Sequence, residues 1–183
     1  NAAKVFLNLS ESDYQADAPE KLYSLSLDTL IEPALPSSLN GRRANLADVK
    51  LLTRWRVAYN VETLGGTDSP ALWQRCRDSV ERAIERDNLW VLAENGRLLS
   101  TSAFNTATKE AVQVGGVWTP PEGRSHGYAR AVVAASLRDA RVEGVPKAVL
   151  FTGNDNIAAQ KAYEALGFRH ISEYCITILC DKG

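Results

Sequence analysis

Val114–Ala129 reads VGGVWTPPEGRSHGYA. A β-rich run breaks at Thr119-Pro120-Pro121 and passes through a short loop into a helix. The first turns of that helix carry Tyr128, Ala129, Ala131, Val132, Val133, Ala134, Ala135 and Leu137, apolar on nearly every side, so its start is buried. Main-chain amides from Arg124 to Ala129 then sit at a helix N-terminus, where orphan donors and the positive dipole end favour an anion, phosphate above all. Gly127 lets the backbone approach closely, Ala129 keeps the first turn small and Arg124 adds charge. The nucleotide loop GxxxxGK[ST] and the dinucleotide fingerprint GxGxxG are both missing. On the loop alone, a plain strand-to-helix turn with no ligand remains open.

Upstream, Asn95-Gly96 is the favoured hairpin pair between apolar runs at 89–93 and 97–104, and a third strand covers 111–119. Ser69-Pro70 starts an amphipathic helix, with Leu72, Trp73, Cys76, Val80, Ala83 and Ile84 on its apolar face. Before it, Asn45 and Asp48 form a capping pair for a helix that stops near Gly65-Gly66. Downstream, Gly144 and Pro146 end the buried helix, 148–152 is a short buried strand, and Asn156–Leu166 is the last helix, closed by Gly167. The run 168–179 is extended, as two short strands or one broken by a bend. At the front, 4–9 and 22–27 alternate like strands around the polar Ser10–Glu20 and could pair as an edge ribbon. A breaker-rich stretch, Pro33 to Gly41, follows. Residues 1–41 therefore read as an N-terminal β appendage or the remnant of a further domain, and 42–183 as the main domain. The fold class is mixed α/β.

The chain has 183 residues, 45% of them hydrophobic, and a formal net charge of -1, which suits one globular core and argues against nucleic-acid binding by bulk charge. No apolar run is long enough to span a bilayer, and no leader pattern opens the sequence, so no membrane partner is expected. Cys76, Cys175 and Cys180 form no CxxC, and His126 and His170 are the only histidines. A zinc site or disulfide framework is not expected, and a reducing cytoplasm fits. Four tryptophans, Trp55, Trp73, Trp90 and Trp118, read as core.

Arg124-Ser125-His126-Gly127-Tyr128-Ala129 resembles the Q/R-x-x-G-x-G/A signature of the GNAT superfamily of acetyl-CoA-dependent N-acetyltransferases. Asn156, Ala159, Tyr163 and Gly167-Phe168 resemble that family's last helix and following strand, in the same order and spacing. The resemblance covers roughly Arg42 to Leu179. It implies a mixed sheet whose strands at 111–119 and 148–152 splay apart, flanked by helices, with the pantetheine arm of acetyl-CoA in the gap. Val117 and Thr119 would pair with that arm through their main chain. The loop Arg124, Ser125, His126, Gly127, Tyr128 and Ala129 would hold the diphosphate without a metal, and Asn156 would be both helix cap and cofactor contact.

The implied reaction is acetyl transfer to a primary amine, on a small molecule or a peptide, by direct attack in a ternary complex. Tyr163 would protonate the departing thiolate, since a phenol with a pKa of roughly 10 suits an acid. A non-catalytic CoA-binding module on the same fold is the alternative. At Ser125 and His126 relatives often carry Gly and a base, so a titratable imidazole would stand near the diphosphate. The strand at 111–119 has no carboxylate to act as base. Glu62 and Asp68 could border the acceptor pocket, although such residues are more often solvated. The N-terminal ribbon could pair with a second chain in a homodimer.

Overall fold

The computed structural model describes the backbone of residues 14–179 and the side chains of residues 19–173. Its strands are β1 (Tyr14–Ser26), β2 (Leu39–Arg43), β3 (Leu89–Glu94), β4 (Arg97–Ala107), β5 (Val112–Trp118), β6 (Lys147–Gly153) and β7 (Arg169–Leu179). Its α-helices are α1 (Val49–Thr63), α2 (Pro70–Glu85), α3 (Tyr128–Val142) and α4 (Ile157–Glu164). The seven strands form one mixed sheet in the order β2-β3-β4-β5-β6-β1-β7, antiparallel throughout except for the parallel pair β5 and β6.

Local chemistry accounts for most boundaries. Asn45 accepts from the amide of Ala47 while Asp48 accepts from that of Asn45, a reciprocal cap that opens a 3-10 turn into α1. Ser69 accepts from the amide of Leu72 and Pro70 occupies the first turn of α2. Asn95 and Gly96 both have positive φ, as a two-residue hairpin between β3 and β4 requires. Trp73 departs from its expected core place: it is 40% exposed, and its indole donates to Asp68 at 2.7 Å. Trp55, Trp90 and Trp118 are buried.

One face of the sheet, with Tyr23, Leu25, Ala148 and Leu150, packs against α3 and α4 through Val132, Val133, Leu137, Tyr163 and Leu166. The other packs against α1 and α2 through Leu52, Trp55, Val80, Val91, Ala103 and Trp118. Val132, Val133 and Leu137 are fully buried, each worth about 1.5–3 kcal/mol of apolar transfer, and they anchor the helix whose start faces the loop at 119–127.

The N-terminal expectations need correction. Residues 14–26 form one strand, so the polar stretch does not separate two ribbons across its second half. That strand lies inside the sheet, between β6 and β7. Tyr23 and Leu25 are 1% and 2% exposed and belong to the main core, so this segment is no appendage. Strand β2 likewise begins at Leu39, before the expected boundary, and pairs with β3. The physical reason is pairing over long sequence distance: Leu22 sits opposite Phe151 and Ser172, which no local pattern announces. The expected strand at 4–9 lies outside the described residues. Residues 169–179 form a single strand.

Candidate functional site

Strands β5 and β6 pair only from Val112/Ala148 to Val114/Leu150. Beyond that point β5 continues to Trp118 and β6 to Gly153 without facing each other. The parting coincides with a register shift in β5 against β4 and with Gly116 at φ 57, a left-handed value that only glycine adopts cheaply. Val117 and Thr119 therefore lie beyond the last residue paired to β6, with no strand partner on that side. Thr119 turns its hydroxyl inward to Ser100, 2.8 Å away, so any contact with a ligand in the gap falls to its backbone.

The loop then delivers its amides as the sequence requires. Gly127 caps α3 at φ 77 with no side-chain cap, and Ser125 is also left-handed at φ 65. The first helical bond runs from Ala131 N–H to the Gly127 carbonyl at 3.0 Å. The amides of Ser125, His126, Gly127, Tyr128, Ala129 and Arg130 have no acceptor among the described residues. Six consecutive free N–H groups at a helix start have the donor pattern that favours an anion.

Two arginines flank this loop. Arg124 Nη2 donates to both Glu62 carboxylate oxygens, at 2.8 and 2.9 Å, while its Nε donates to the Thr119 carbonyl at 3.2 Å and its guanidinium lies 5.0 Å from the Trp118 ring centroid. It braces the loop from outside. The cation left at the loop is Arg130, whose Nε is buried without a partner among the described residues. Its Nη2 lies 4.0 Å from where a Gly127 Cβ would stand. Its place one turn into α3, three residues after Gly127, was the available signal. The His126 ring contacts the Arg124 carbonyl at 2.7 Å and stacks on Tyr128, centroids 5.4 Å apart. Asn156 accepts from the Ala159 amide at 3.2 Å, so its carbonyl oxygen serves the cap of α4.

Tyr163 is 9% exposed, sits edge-on to Phe168 and has no hydrogen-bond partner for its hydroxyl among the described residues. Burial, and to a lesser degree the nearby Tyr59, push its pKa well above the ordinary phenol value. Tyr59 of α1 reaches the cleft from the other face; its own pKa is raised by burial, with Arg56 lowering it and Glu20 raising it. Glu20 of β1, opposite Gly153 at the open end of β6, has Oε2 buried without a partner, and desolvation raises its pKa. Glu62 and Asp68, the carboxylates expected near the acceptor, are instead tied to Arg124 and Trp73. Glu20, Arg56 and Tyr59 escaped the sequence reading, because neither a polar N-terminal strand nor a solvent-patterned helix signals a cleft.

Among the described residues no group of three or more His, Cys, Asp or Glu side chains could hold a metal, and no helix is long and apolar enough to cross a membrane. Among curated proteins, N-acetyltransferase family 8 member 2 of Rattus norvegicus is 24% identical over 124 residues, 58% of this chain and 55% of that protein. An acetyltransferase of the GNAT family from Colwellia psychrerythraea shares the fold with TM-score 0.66 at 18% identity, over 96% of this chain and 61% of that one. A protein from Clostridium acetobutylicum determined with acetyl-CoA aligns with TM-score 0.58 at 18% identity, over 74% of this chain and 93% of that one. The chain thus spans little more than half the length of the first two relatives. The sequence profile of the acetyltransferase (GNAT) family matches residues 55–168, from α1 through the parted strands and the amide loop to the end of α4. The protein belongs to the GNAT acetyltransferase family.

Proposed function

We propose that this chain transfers an acetyl group from acetyl-CoA to a primary amine by direct attack in a ternary complex. The observation that carries the proposal is the run of six unpartnered amides, Ser125 to Arg130, at the mouth of the parted strands. The diphosphate of acetyl-CoA fits that run, with Ala129 small enough for close approach and Arg130 supplying countercharge. Val117 and Thr119 offer main-chain groups to the pantetheine arm, and Asn156 borders the far strand. When bound, acetyl-CoA supplies an activated thioester carbonyl.

Glu20 takes the proton that the amine loses as its nitrogen bonds to that carbonyl carbon; its raised pKa makes it a better base than an ordinary carboxylate. Tyr163 gives its proton to the sulfur as the carbon–sulfur bond breaks, and its raised pKa keeps the phenol protonated until then. Both roles are open because neither side chain has a competing partner at the reacting atom.

Calorimetric titration with CoA, alongside thiol release from acetyl-CoA over a panel of amines, tests the reading. Saturable CoA binding with amine-dependent thiol release is expected. Binding without turnover on any amine would leave a CoA-binding module, and no binding would remove the assignment.

A further inference from the structure

A cavity of about 230 Å³ opens between α1, α2 and β4, and its wall includes Arg56, Ser79, Arg82, Arg86, Asn88 and Asn105. Three arginines line it, and no Asp or Glu does. None of the three arginines forms a side-chain ion pair among the described residues, although Arg42, Arg43, Arg77, Arg124, Arg138 and Arg141 all do. The C-terminal dipole of α2 accounts for cations at Arg82 and Arg86. It does not account for Arg56, which comes from another helix and is turned toward the sheet. Desolvation holds that guanidinium below its usual pKa, a cost a bound anion would offset.

Two residues of its wall pack on the bend of β5. A Cβ on Gly116 would stand 2.8 Å from Arg56 Nη1, and one on Gly115 would stand 2.2 Å from Asn105 Nδ2. Gly115 and Gly116 are where β5 bends away after its last pairing with β6. Arg56 also borders a small second cavity of about 10 Å³ beside Tyr59, Gly116 and Trp118. Arg56 thus stands between the bend of β5 and the arginine-lined cavity.

Resting on the acetyl-transfer reading above, we infer that the acceptor is a small amine carrying an oxyanion, carboxylate or phosphate, which Arg56, Arg82 and Arg86 bind. A cavity of this size suits a small molecule better than a protein side chain presented on a folded surface. Three charged donors around one oxyanion give both affinity and orientation, and leaving them unpaired penalises a neutral analogue.

The test compares matched acceptors with the purified chain: an α-amino acid against its carboxamide, and an amino-sugar phosphate against the free amino sugar. Acetyl transfer is followed by thiol release and CoA binding by calorimetry. In at least one pair the anionic member should show kcat/KM at least about 10-fold higher, and which pair does so distinguishes carboxylate from phosphate. Replacing the two exposed arginines (Arg82→Gln with Arg86→Gln) should raise KM for that member about 10-fold or more and erase the preference, with CoA affinity unchanged. Equal rates within both pairs, turnover of none of the four amines, or a double variant that keeps the wild-type preference would overturn the inference. A wild-type chain that fails to bind CoA would overturn the acetyl-transfer reading beneath it.

Discussion

Tyr163 and Glu20 reach the cleft from opposite sides of the sheet, and both are free at the atom that would handle a proton. Tyr163→Phe should lower kcat about 100-fold while CoA affinity by calorimetry stays the same, because in the proposed reaction the phenol acts on the leaving sulfur and not on the diphosphate. Glu20→Gln should likewise cost about 100-fold in kcat/KM and abolish its acid limb, since the working form is the carboxylate above its raised pKa. Stability carries the opposite sign. A carboxyl whose folded pKa exceeds its unfolded one loses stability as pH climbs through that window, so the Gln variant should melt higher than wild type at neutral pH and not in acid. A lower melting temperature at neutral pH would contradict the buried, unpaired carboxylate. Arg130→Gln should weaken CoA binding about 10-fold, more than Arg124→Gln, as measured by titration. The free amides of the loop were legible in the sequence because Gly127 opens α3 without a side chain that could cap it. The Arg124 side chain was not, because its partner Glu62 lies on another element, and Glu20 was hidden in a strand whose neighbours come from the far end of the chain.

Helices and hairpins announced themselves through their ends. The reciprocal Asn45–Asp48 cap is reinforced by Arg42, whose two Nη atoms meet the Asp48 carboxylate at 2.7 and 3.0 Å. Burial alone would raise the Asp48 pKa, but the Arg42 hydrogen bond, the Asn45 amide and the Arg42 charge together hold it below the usual carboxylate range. Its stabilisation is present above the unfolded pKa and disappears as pH falls through the folded one. Asp48→Ala should therefore cost about 2–3 kcal/mol at neutral pH and much less in acid, read from denaturant midpoints at the two conditions. A pH-independent loss would show that the carboxylate charge plays no part. Element periodicity could not reveal the parting of β5 from β6, since Val112–Trp118 is as apolar as any paired strand. The resemblance implied it, whereas within the strand only the two consecutive glycines, Gly115 and Gly116, mark it, and their role depends on Arg56 and Asn105 lying against them.

At the scale of the whole molecule, β1 ties the sheet together by pairing with β6 through Glu20–Ser26 and with β7 through Tyr14–Ser24. Removing residues 1–26 would strip both strands of their partner and take Tyr23 and Leu25 from the core. Leu25→Ala alone should cost about 2–5 kcal/mol, and the truncated chain should lose cooperative thermal unfolding by circular dichroism. A truncated chain that melts cooperatively near the full-length temperature would show that β6 and β7 hold without it. Composition and pattern could specify each strand but not this order, because sheet neighbours more than 100 residues apart leave no local signature. During synthesis β1 emerges well before its two neighbours, which lie more than 100 residues further along the chain. Until then Tyr23 and Leu25 have no lasting shelter, and the strand is open to nascent chains from adjacent ribosomes or to chaperones. Glu20, carried by that strand, takes its place beside Gly153 only when β6 arrives, so the base of the proposed reaction would be set by a closure slowed by the long loop it must bridge.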